Sequence, residues 1–214
     1  MKTLLYITCH SKPEELSASK TVARELLNSI LAKNTDITVK ELDIYEMKLP
    51  ELRYEYFQGR NSVVSMGEYD KLTKNQKKDV DTIKNLATEF KNADYYIVVA
   101  PMWSLLFPAA LKKYLDCIIQ KDITIKMEKD NIGGLLNDKK RVLFYVQSSG
   151  GPIPWLIERK INHGGIYLKD IFRFLGIKHI HEILVDKTGF TAEEQHKAIQ
   201  QGHKEARNKA DVLS

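Results

Sequence analysis

Only two cysteines occur in the 214 residues, Cys9 and Cys117. They lie far apart, with no C-x-x-C and no histidine at ligand spacing, so neither a disulfide framework nor a zinc site is indicated, and both are expected as reduced core residues. No apolar run approaches the roughly 18 residues that span a bilayer. The opening "MKTLLYITCHSK" has neither a long apolar h-region nor a small-residue cleavage site, so the expected location is the cytoplasm, with no membrane partner. G-x-x-x-x-G-K-[ST] and G-x-G-x-x-G are also missing, which excludes a nucleoside-triphosphate loop and a dinucleotide turn of the usual kind. The net charge of +5 comes from 33 basic residues scattered among 28 acidic ones. It therefore reads as a solvated surface that helps steer anionic ligands such as nicotinamide nucleotides, and no nucleic-acid partner is expected.

Strands and amphipathic helices alternate along the chain. The short apolar run Thr3 to Thr8 leads through a polar loop to a helix over Ser17 to Lys33, with Val22, Leu26, Leu27, Ile30 and Leu31 on one face. Asp36 to Ile44 alternates as an edge strand does, whereas Tyr95 to Ala100 is apolar throughout and suits the middle of a parallel sheet. Between them, residues 45–67 are rich in tyrosine, proline and glycine, too long for a plain connection, and precede a helix over Thr73 to Lys91 with a Thr73/Gln76 capping box. A helix over Ala109 to Gln120 follows, then a strand over Arg141 to Gln147, a helix over Ile166 to Leu175, a strand over Ile177 to Val185 and a final helix over Thr191 to Asp211. Five such alternations predict one α/β domain over residues 1–214. Its parallel sheet, of order 2-1-3-4-5, has helices on both faces and a ligand site where strands one and three end.

Three loops open onto that edge. "CHSKPEELSASKT" carries Ser11, Ser17, Ser19 and Thr21 into the first turn of a helix, where free amides and the positive dipole end suit a phosphate monoester; Ser17 as a plain N-cap is the ordinary alternative. "PMWSLLFP" (Pro101 to Pro108) displays Met102, Trp103 and Leu105, a wall for a planar ring unless Trp103 merely packs helix on sheet, and backbone amides for the ring's edge. "QSSGGP" (Gln147 to Pro152) adds hydroxyls and two glycines that let backbone approach a ligand, or make a simple turn. Phosphate donors, an aromatic wall and close backbone together describe a flavin mononucleotide (FMN) site.

Ser11 followed by Ser17-Ala18-Ser19, "APMW" running on to "LKKYLD", and "SSGG" at Ser148 to Gly151 form an ordered set over nearly the whole chain. In these features the sequence resembles the FMN-dependent NADH azoreductase family, flavodoxin-like three-layer homodimers that also reduce quinones. The resemblance implies that Ser11, Ser17, Ala18 and Ser19 hold the FMN phosphate. It places Pro101, Met102, Trp103, Ser104 and Leu105 along the isoalloxazine, with Ser148, Ser149, Gly150 and Gly151 on its far side. Ser104 and Leu105 depart from the family's Met-Tyr-Asn-Phe, losing an asparagine amide and an aromatic surface. Implied too is ping-pong transfer of two electrons from NADH or NADPH through FMN to quinones or azo aromatics, with the active site at the subunit interface and Tyr54, Tyr56 and Phe57 as lid or partner contacts.

No side-chain nucleophile, acid–base pair or metal site is expected: His10, His163, His179, His181, His196 and His203 lack partners at motif spacing, although His10 adjoins Ser11. The rival reading is a flavodoxin-type electron carrier with no NADH oxidation of its own, which the positive charge disfavours.

Overall fold

The computed structural model describes residues 1–154 and 158–213. In chain order the elements are β1 (Lys2–Thr8), α1 (Ala18–Lys33), β2 (Ile37–Asp43), β3 (Phe57–Gly59), β4 (Ser62–Val63), α2 (Met66–Asp70), α3 (Lys74–Asn92), β5 (Tyr95–Pro101) and α4 (Ala109–Ile118). They continue with β6 (Ile125–Glu128), β7 (Asn131–Gly134), β8 (Val142–Ser148), α5 (Glu158–Ile161), α6 (His163–Leu175), β9 (His179–Val185) and α7 (Ala192–Ala210).

Hydrogen bonding orders the main sheet β2-β1-β5-β8-β9, with every neighbouring pair parallel. The expected numbering 2-1-3-4-5 counts five strands, whereas the described residues form nine. β3–β4 and β6–β7 are antiparallel hairpins outside the main sheet, with strands of two to four residues. Segments so short carry no period that sequence patterning registers.

Two-residue alternation divides the core between the sheet's faces. Leu5, Ile7, Tyr96, Val98, Leu143 and Tyr145 face one cluster, which α3, α4 and α6 cover with residues such as Phe90, Tyr114 and Phe172. Leu4, Tyr6, Ile97, Val99, Phe144 and Val146 face the other, covered by α1 and α7. Strands β5 and β8 are buried along nearly their whole lengths, which is why they read as unbroken apolar runs, while the edge strand β2 alternates. Among the described residues no helix is long and apolar enough to cross a membrane, and no group of histidine, cysteine and carboxylate side chains is arranged to hold a metal. Both cysteines are free and buried.

The segment 45–67 is ordered by its own anchors. Tyr56, offered by the sequence as a lid or partner contact, is 1% exposed and donates its hydroxyl to Asp79 on α3 at 2.7 Å, so it pins the segment down. Tyr54, at 93% exposure, faces outward, and Phe57 is half-buried.

Candidate functional site

The carboxyl ends of β1, β5, β8 and β9 converge on a cleft of about 340 Å³. Its first wall is the loop after β1. Cys9 still follows β5, its amide donating a hydrogen bond to the Val99 carbonyl (3.0 Å), and a single 3-10 turn at Glu14–Leu16 then delivers Ser17 as the N-cap of α1. Ser17 Oγ accepts the Lys20 amide at 3.4 Å and lies 3.4 Å from Ser19 Oγ. The Ala18 and Ser19 amides come before any intrahelical acceptor, and the sixteen-residue helix aims its positive end here. No acidic residue occupies the first turn of α1, and the nearby Glu14 carboxylate is engaged by Arg24. Beneath the loop the buried Lys20 ammonium donates to the Lys12 carbonyl (3.1 Å) and lies 3.6 Å from Asp43.

The second wall leaves β5. Met102 donates its amide to the Ser148 carbonyl at 2.7 Å, tying this loop to the end of β8. Trp103 and Leu106 then exchange two backbone hydrogen bonds of 2.9 Å around Ser104 and Leu105, whose φ values are +49° and +64°. Positive φ at both central residues makes this the mirror-image hairpin turn, normally built from glycine or asparagine, and such backbone costs of order 1–3 kcal/mol per residue for other side chains. Trp103 is 44% exposed, and its ring stands 6.0 Å from the His10 ring at 59°.

The loop after β8 meets an element outside the sequence reading, the loop after β9. Thr188 donates both its amide and its hydroxyl to the Ser149 carbonyl (3.1 and 3.0 Å), and the Gly189 amide reaches the Gly150 carbonyl (3.1 Å). Gly150 and Gly189 thus bring two loops into backbone contact. A Cβ on Gly189 would fall 2.9 Å from the Gly150 Cα, whereas one on Gly150 would sit at an ordinary 3.8 Å. Gly189→Ala is therefore expected to cost about 1–3 kcal/mol and Gly150→Ala much less; calorimetric melts that rank the two the other way would refute the assignment.

Of the sequence-derived residues, Ser11, Ser17, Ala18, Pro101, Met102, Trp103, Ser148 and Gly150 line the cleft. Five others stand outside its lining. Ser19 is fully buried behind Ser17, and Ser149 is buried with its hydroxyl donated to the Gly151 carbonyl (2.9 Å). Gly151 accepts the Lys187 amide at 3.3 Å, and Ser104 and Leu105 face solvent at the turn's tip. His10, Lys12, Leu16, Thr188, Gly189 and Gln195 complete the lining. A larger hollow of about 570 Å³, edged by Tyr54, Phe57 and Arg60, draws on none of these loops.

His10 is buried, and its Nδ1 accepts the Lys12 amide at 3.2 Å. Burial first, then the Lys20 and Lys12 charges, hold its pKa below the usual 6.5, with Asp43 opposing. Folding thus favours the neutral ring, so its contribution to stability is complete above the unfolded-state value and is lost as pH falls through the lower folded one. His10→Asn, whose Oδ1 can keep the Lys12 bond, is expected to make the fall in Tm between about pH 7 and pH 5 shallower. The fall should not vanish, because burial with Lys209 and His179 shifts His181 the same way. Superimposable pH profiles for wild type and variant would refute this.

Residues 2–210 match a family described as having a flavodoxin-like fold. The chain is 48% identical over 200 residues, 94% of each sequence, to an FMN-dependent NADH:quinone oxidoreductase of Ruminiclostridium cellulolyticum. A Clostridium botulinum protein of the same name is 47% identical, again over 94% of each. An FMN-dependent NADH-azoreductase from Bacillus anthracis, solved in complex with FMN, superposes with a TM-score of 0.84 at 24% identity, covering 100% of this chain and 99% of that one.

Proposed function

Because the chain belongs to the flavodoxin-like fold family, and within it to the FMN-dependent NADH:quinone oxidoreductases, we propose that its cleft holds the FMN through which NADH reduces quinones and azo aromatics. One observation carries the placement: the acid-free N-terminus of α1 and the half-exposed Trp103 wall border a single cleft, large enough for a ligand of this class.

The Ser11 and Ser17 hydroxyls and the Ala18 amide hold the phosphate, Ser19 supports Ser17 from behind, and the buried Lys20 and the exposed Lys12 add positive potential. Pro101, Met102 and Trp103 flank the ring, and Ser148 and Gly150 approach its far side. Ser149 and Gly151 brace that approach, and Ser104 and Leu105 set the angle of the Trp103 wall. When bound, FMN supplies the hydride acceptor and two-electron donor that these side chains lack. Nicotinamide donor, NADH or NADPH, and aromatic acceptor use the open side in turn, which is ping-pong exchange. We place the second subunit of a homodimer against the surface that carries Tyr54 and Phe57, and the enzyme in the cytoplasm, where two free thiols persist.

Purified protein is expected to be yellow, to release FMN on denaturation, and to oxidise NADH with a quinone and no separate reductase. Colourless protein that takes up no added FMN would overturn the placement. FMN-bearing protein inert toward NADH would instead be an electron carrier.

A further inference from the structure

The polar groups behind the cleft form a buried chain that the proposed chemistry does not use. Tyr145 donates its hydroxyl to Gln147 Oε1 at 2.7 Å, Gln147 Nε2 donates to Asn162 Oδ1 at 3.0 Å, and Asn162 Nδ2 donates to Glu182 Oε1 at 3.0 Å. Lys169 closes the chain from the surface by donating to the other Glu182 oxygen. Tyr145, Gln147 and Asn162 are each 1% exposed. Every bond runs toward the one carboxylate, and the aligned donors reinforce one another in a medium of low dielectric constant.

Asn162 is the junction. It is the N-cap of α6, its Oδ1 also accepting the Gly165 amide at 3.0 Å, and it joins that helix to β8 through Gln147 and to β9 through Glu182. Two residues on, the Gly164 amide donates to the Leu105 carbonyl at 3.3 Å. No larger residue fits there easily, because a Cβ on Gly164 would lie 3.3 Å from both Gln147 Oε1 and the Leu106 carbonyl carbon. Leu105 is one of the two residues held at positive φ in the turn that presents Trp103.

We propose that Asn162 is a positioning residue of the active site, which holds the strained Trp103–Leu106 turn in its ring-facing form by fixing the start of α6 against β8 and β9. A strained turn persists only where its surroundings over-determine it, and the Gly164 clamp is as rigid as the Asn162 junction behind it. The link to flavin rests on the proposed placement of FMN; the link to the turn does not.

The test compares Asn162→Ala and Asn162→Ser in the full-length chain, with and without FMN. Serine can restore the cap on Gly165 but cannot span to Gln147 and Glu182 together. Tyr96→Phe is the control, since it removes buried hydroxyl bonds to the Phe90 and Ala93 carbonyls at the opposite end of the sheet. In both Asn162 variants, hydrogen exchange in the peptide covering residues 102–107 should accelerate by about tenfold without FMN present, as for a lost buried hydrogen-bond partner. Their FMN-loaded forms should show a shifted visible flavin spectrum, and Tyr96→Phe neither effect. If Asn162→Ser matches wild type, or Asn162→Ala lowers Tm while exchange in that peptide stays unchanged, Asn162 is a cap alone and the inference fails. Should neither variant fold, Glu182→Gln carries the test, with a smaller acceleration expected and none overturning it. Exchange that accelerates in a chain that takes up no FMN would leave the positioning role standing and remove only the placement of flavin.

Discussion

Ser17→Asp is expected to fold as the wild type does and yet to bind FMN on the order of a thousandfold more weakly. Aspartate is as good an N-cap as serine, so α1 keeps its start. Its carboxylate, however, would keep the Lys20 amide bond and put a negative charge at the helix start, where the phosphate belongs. Like charges a few ångströms apart near a protein surface repel by about 4 kcal/mol, which is about a thousandfold in Kd. Ser17→Ala has the opposite profile, losing about 1 kcal/mol of capping energy without adding repulsion. Titration of apoprotein with FMN, read by flavin fluorescence quenching alongside a thermal melt, distinguishes the two. A Ser17→Asp protein with wild-type affinity would show that the phosphate binds elsewhere and that Ser17 serves only its helix.

The second large effect concerns two adjacent glycines that look alike in sequence. A Cβ on Gly134 would fall 2.0 Å from the carbonyl carbon of Leu175 and 2.1 Å from its oxygen, both backbone atoms of α6, whereas one on Gly133 would meet nothing within 4 Å. The β6–β7 hairpin is seated there by the Leu136 amide, which donates to the Leu175 carbonyl at 2.8 Å. Gly134→Ala must therefore lift the hairpin off α6, at a cost of about 3 kcal/mol or more, which for a chain of this size lowers Tm by roughly 6–12 °C. Gly133→Ala should stay within about 0.5 kcal/mol of wild type, as surface changes do. Calorimetry on the pair settles the matter, and equal melting temperatures would contradict the packing described.

These cases mark what the sequence could and could not carry. Long elements were legible because burial imposes a period: Val80, Ile83, Leu86, Ala87 and Phe90 are all buried on α3, behind the Thr73/Gln76 capping box. The cleft's first two walls were legible because a loop of serines entering a helix and a tryptophan leaving a buried strand are unusual pairings. Thr188 and Gly189 went unread because their contribution is backbone contact with Ser149 and Gly150, which leaves no pattern beyond a short Thr-Gly. The start of α6 was hidden for a related reason. His163-Gly164-Gly165 precedes the apolar stripe and lowers helix propensity, so the cap at Asn162 stood four residues before the expected helix. Tyr56 resembled its exposed neighbour Tyr54, and only the placement of Asp79 separates their roles.

Gly189 and Gln195 come from the last 30 residues of the chain, yet they border the same cleft as His10 and Ser11. A ribosome releases residues in order, so the earlier walls wait, open on one side, until β9 and α7 have emerged and docked. Cofactor capture must therefore wait for the loop after β9 and the first turn of α7, and a nascent chain stalled before Val185 would expose the sheet edge with that wall still missing.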